Sequence, residues 1–118
     1  MSFDWGDYLA LAKELAGESN EAKLRSAISR AYYSIFCKAR NYLHGKIPLT
    51  GKSIDHKLVS EAFKAKDDDK LKRVGVNLER LRIDRNKADY EDDFPNIVAQ
   101  TEMDLLIAQE SYEVIETL

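Results

Sequence analysis

The chain has 118 residues, 44% of them hydrophobic, with a net charge of −3 and a single cysteine, Cys37. That length can bury the core of one domain without metal or disulfide staples. With no disulfide framework, no apolar leader and no apolar run long enough to cross a bilayer, it points to a reducing, cytoplasmic setting away from membranes. Taken in order, the first predicted helix runs from about Asp4 to Ala16, with Leu9, Ala12 and Ala16 on one face and Gly17 as its stop. Ser19 or Asn20 can cap a second helix reaching Leu43, where Leu24, Ile28, Ala31, Ile35, Ala39 and Tyr42 keep helical register. Gly45, Pro48 and Gly51 break the chain into a loop.

Ser53 can cap a third helix carrying Leu58, Val59, Ala62 and Phe63, and Asp67, Asp68 and Asp69 then suit the positive end of a fourth. Pro95 fits the first turn of a fifth helix, whose Ile97, Thr101, Leu105, Ala108, Tyr112 and Ile115 form a three-four stripe. No period-two alternation marks a strand. Helices joined by short connections predict an all-α, antiparallel four- or five-helix bundle over residues 1–118.

Charge is distributed unevenly. Residues 22–87 hold 17 of the 18 basic side chains against 7 acids, a net +10, whereas residues 1–21 carry −4 and residues 88–118 carry −9. A basic middle between acidic ends suits a phosphate-rich ligand, or pairing of the helices with one another. Some apparent chemistry falls away on inspection. Leu49 to Ser53 reads LTGKS, the tail of a phosphate-binding P-loop, but Lys46 stands where the first glycine is required and a helix precedes it. Cys37 and His44 are about two turns apart, too far for a nucleophile and its base, and Cys37 reads as a small buried residue. His44 and His56 belong to no metal-ligand spacing, so neither metal nor cofactor is expected. His56 reads as a surface or capping residue at the start of a short helix, and Tyr32, Tyr33, Tyr42 and Tyr112 as core.

The fourth helix, Leu71 to Tyr90, carries the sharpest signal. Leu71, Val74, Leu78, Leu81, Arg85 and Ala88 share one stripe, and Arg85 is the charge on that apolar seam. A buried guanidinium is costly unless an anion meets it. Asp89, one turn on, can supply that anion, with Arg82 joining a closed network; an external phosphate can supply it equally well. On the opposite side Val76, Ile83 and Tyr90 repeat every seven residues, an apolar stripe that predicts an interface, with a second copy of the chain as the candidate partner.

Two segments, SAISRAYYSIF at residues 26–36 and LRIDRNKADYED at residues 81–92, resemble the HEPN domain, a small helical bundle. The second helix with Arg30, Ala31, Tyr32 and Tyr33, the run His56, Val59 and Phe63, and the pair Arg85 and Asn86 each resemble the corresponding part of that family, over residues 20 to 95. The resemblance implies a homodimer whose fourth helices line a shared cleft. It also implies RNA or nucleotide as ligand, or metal-independent ribonuclease activity of the kind found in toxins paired with a small nucleotidyltransferase antitoxin. The family's active signature is an Arg, then four to six intervening residues, then a His. Here the corresponding positions after Arg85 hold Tyr90, Glu91 and Asp92, so the His is absent.

Metal-free RNA cleavage needs a base for the 2′-hydroxyl and a cation for the phosphate. Arg85 suits the second task; Asp89 or Tyr90 would have to serve the first. The sequence therefore predicts a phosphate site of Arg82, Arg85 and Asn86, catalytic candidates Arg85, Asp89 and Tyr90, and an interface of Val76, Ile83 and Tyr90. The rival expectation is a module that binds only protein.

Overall fold

The computed structural model describes residues 2–118. Five helices follow in order: α1 (Gly6–Ala16), α2 (Glu21–Leu43), α3 (Asp55–Lys64), α4 (Asp69–Tyr90) and α5 (Ile97–Glu116). Apart from an isolated bridge between His44 and Ile47, no β structure occurs among the described residues. The expected all-helical bundle is therefore present. No helix among the described residues is long and apolar enough to cross a membrane.

The long α2 is the axis of the bundle, and the other four helices all pack on it. Its Ala27, Ile28, Ala31, Tyr32, Ile35, Ala39 and Leu43 are at most 1% exposed. Each large apolar side chain buried this way contributes roughly 1.5–3 kcal/mol. Cross-helix contacts fix the directions. Arg25 meets Asp92, Ser29 meets Asp89 and Tyr33 meets Arg85, so α4 runs antiparallel to α2. Asn77 meets Ser111 and Gln100 meets Asp84, so α5 runs antiparallel to α4 and hence alongside α2.

Caps explain where the helices begin and end. Asn20 receives the Lys23 N–H at the start of α2, and Asp68 receives those of Lys70 and Leu71 at the start of α4. Arg25 closes the other end of α4. Its guanidinium donates to the carbonyls of Ala88, Glu91 and Asp92 while pairing with Glu21. That clamp fixes the last turns of α4, where Arg85 and Asp89 lie.

Several expectations need correction. Ser53 does not cap α3: Ile54 occupies that position, and the loop is held instead by the buried carboxylate of Asp55, which accepts from Thr50 and Gly51. Pro95 lies before α5, whose cap is Asn96 in the left-handed conformation at φ 58°, a region that asparagine tolerates. The buried face of α5 is rotated from the expected stripe: Asp104, Ile107 and Ser111 are buried, while Leu105 and Tyr112 are half-buried. Charge pairing between segments is real, since Arg73 meets Glu110 and Lys38 meets Glu116. The stripe on α4 stays uncovered because α1 packs on α2 and α5 instead. Val76, Ile83 and Tyr90 are 53%, 54% and 74% exposed.

Candidate functional site

Three helices converge on Arg85. Ser29, Tyr32, Tyr33 and Phe36 are spaced three or four residues apart along α2, so they share a face. Arg82, Arg85, Asn86 and Asp89 do the same on α4, and α3 brings His56 between the two.

The guanidinium of Arg85 is flanked by two aromatic rings, with Tyr33 at 5.0 Å and Tyr90 at 5.5 Å from its central carbon. Its Nη1 donates to Asn86 Oδ1 at 2.7 Å. Its Nε lies 3.0 Å from Asp89 Oδ2, close enough for a charge contact but out of line for a hydrogen bond, so the Nε–H has no acceptor. The same Asp89 oxygen accepts from Ser29 Oγ at 3.2 Å. Arg82 is less satisfied: its buried Nε has no hydrogen-bond partner, and it forms no ion pair among the described residues. The closed network of Arg82, Arg85 and Asp89 is thus not formed. Two cations stand against one carboxylate.

His56 was expected at the surface, and here the structure differs. Its ring stacks on Phe36 at 4.2 Å, and its Nδ1 hydrogen-bonds to the hydroxyl of Tyr32, a residue only 1% exposed. Burial, then the positive charges of Arg82 and Arg85, hold the imidazole below its ordinary pKa, so it is neutral at pH 7. Burial also pushes the Tyr32 hydroxyl well above its usual range, keeping it protonated. A buried hydroxyl proton needs an acceptor, and His56 Nδ1 is the one it has. This assigns Tyr32 as donor and leaves the imidazole proton on Nε2, available to a ligand.

The cluster therefore offers donors: guanidinium N–H groups of Arg82 and Arg85, the amide N–H₂ of Asn86 and the Nε2–H of His56. Such a set suits phosphate oxygens. Of the sequence candidates, the fold brings together Arg82, Arg85, Asn86 and Asp89, with Tyr90 at the edge. Val76 and Ile83 continue from Tyr90 along the exposed face of α4, away from the arginines. Sequence reasoning missed His56 and the orienting role of Tyr32. The signal was present, because His56, Val59 and Phe63 are spaced three and four apart and Val59 and Phe63 are fully buried.

His56 also lines a cavity of about 330 Å³ between α2, the loop at residues 50–53 and the start of α3. A roomier cavity of about 540 Å³ lies away from these residues, between α4 and the end of α5, around Arg73, Asn77, Glu110 and Ser111. Comparison with known proteins finds no matching family model, curated protein or solved structure.

Proposed function

We propose that the chain is a HEPN-like helical domain that binds RNA or nucleotide phosphate at the Arg82, Arg85, Asn86 and His56 cluster. Two copies associate through the Val76, Ile83 and Tyr90 face of α4, and a small nucleotidyltransferase is the expected antitoxin-type partner. The observation that carries the reading is the charge imbalance: two half-buried guanidiniums share one carboxylate, and each keeps an Nε–H without an acceptor. A phosphate supplies the missing acceptors and charge together. The exposed apolar stripe supports association, and the segments at residues 26–36 and 81–92 support the family reading.

Turnover is the second reading, and His56 is the observation that favours it, since it places a neutral imidazole beside the arginines. Binding is the better fit. The Tyr32 bond occupies Nδ1 and leaves the ring a donor, while Asp89 is engaged by Arg85 and Ser29. The test is retention of a labelled single-stranded RNA at low salt, with the same RNA checked for 2′,3′-cyclic phosphate ends in excess chelator. The expected outcome is binding without cleavage, weakened at least about tenfold in Arg85→Ala. Cleavage lost in both Arg85→Ala and His56→Ala would establish the nuclease reading instead. A wild type that neither retains nor cleaves the RNA, and binds no free nucleotide, would refute both.

A further inference from the structure

The 330 Å³ cavity extends the site beyond the arginine pair. Phe36 and Arg40 of α2, Lys52 of the loop, and Asp55 and His56 of α3 are among its walls. Arg40 and Lys52 form no ion pair among the described residues. Arg40 is bonded to the neutral Asn41 Oδ1, at 3.2 and 3.0 Å, and lies 5.8 Å from the Trp5 ring centre, so its charge is not neutralised. Asp55 contributes a negative charge, but it is already committed. It accepts from Thr50 N at 2.9 Å, Thr50 Oγ1 at 2.8 Å and Gly51 N at 2.8 Å, and these bonds hold its carboxyl below the usual range. The N–H groups of Thr50 and Gly51 are therefore spent on Asp55 and that of Lys52 on Thr50 Oγ1, so the LTGKS segment offers the Lys52 side chain instead of a backbone phosphate cradle.

His56 is the shared wall. Its ring stacks on Phe36, and the Tyr33 ring, edge-on to it at 6.2 Å, lies beneath the Arg85 guanidinium. Arg40 follows Tyr33 by seven residues on α2, about 10 Å along the helix axis. The order is thus cation, aromatic rings, cation. A ligand matching it carries anions at both ends of a flat middle. A mononucleotide has its phosphate at one end only, whereas a strand places one on each side of every nucleoside.

We infer that this cavity is a second phosphate subsite, continuous with the arginine cluster across His56 and Phe36, and that the ligand is single-stranded RNA engaged through successive phosphates. The inference rests on the phosphate-binding reading above and names its substrate class. The test uses fluorescence anisotropy of a labelled eight-nucleotide uridine RNA at low salt, with uridine 5′-monophosphate and uridine 3′,5′-bisphosphate as competitors. Lys52→Glu, Arg40→Gln and Arg85→Ala are measured in parallel, and Lys52 is an exposed loop residue whose replacement leaves the fold intact.

The bisphosphate is expected to compete at least about tenfold better than the monophosphate, and Lys52→Glu and Arg40→Gln to remove most of that advantage. Equal competition by the two nucleotides overturns the inference. So does an undiminished bisphosphate advantage in both cavity variants while Arg85→Ala weakens RNA binding, although the arginine reading then stands. If the wild type binds no RNA the inference falls, and if it binds neither nucleotide the arginine reading falls with it.

Discussion

Asp104 shows what burial does to a single carboxyl. It is fully buried on α5, faces Asp84 of α4, and its Oδ2 has no hydrogen-bond partner. Burial, then the adjacent Asp84 carboxylate, push its pKa up to about 8, against the opposing pull of Gln100 and Arg80. Gln100 Nε2 bridges the two acids at 2.8 and 3.0 Å. Because the folded pKa lies above the unfolded value of about 3.9, folding favours the protonated form. That contribution is complete below pH ~4 and is lost as pH rises through 8. The melting temperature should therefore fall between pH 5 and pH 9, and Asp104→Asn should flatten the fall. An unchanged slope in the variant would show that another group is responsible. The sequence concealed this acid because the stripe through Leu105 also fits helical spacing, and one residue turns a helix by about 100°. His56 was hidden differently: a lone histidine near a helix start says nothing about a tyrosine 24 residues earlier that orients it.

Among elements, the pairing of α3 with α4 decides whether the site exists, because it brings His56 to Arg82 and Arg85. Gly75 sets the distance between these helices. A Cβ there would stand 2.6 Å from the Ser60 carbonyl oxygen and 2.8 Å from Lys64 N, backbone atoms that cannot swing aside. Alanine would gain up to about 1 kcal/mol of helix propensity, but overpacking costs about 1–3 kcal/mol. Gly75→Ala should thus lower the melting temperature by several degrees. It should also let the His56 pKa, followed by proton NMR, rise toward its ordinary value as α3 is displaced. A more stable variant with His56 unchanged would mean that the helices have slack. In the sequence Gly75 is only a weak point in a helix, since close approach is a property of the partner helix. The helices themselves were legible because their apolar spacing is regular. The misplaced details, the cap at Ser53 and the role of Pro95, are local contests in which Asp55 and Asn96 prevailed.

At the scale of the molecule, α1 covers α2 and α5 and leaves the outer face of α4 open. Ile83 is 54% exposed there, so Ile83→Glu should leave the helical signal and melting temperature nearly unchanged. Light scattering should show it shifting a dimeric wild type to monomer, and a monomeric wild type would contradict the proposed association. The basic middle and acidic ends, legible from composition, resolve into some inter-helix pairs and a remainder of unneutralised cations around His56. Composition could not divide them, because pairing depends on which helix faces which. The central claim is that this remainder meets phosphate. Its most direct test is the salt dependence of RNA affinity for the wild type and the Arg82→Ala, Arg85→Ala double variant. The account predicts a linear fall of log affinity with log salt, with a slope shallower by about 1.4 in the double variant, the value for two phosphate contacts on a single strand. An affinity independent of salt, or a slope that the two substitutions leave unchanged, would contradict it.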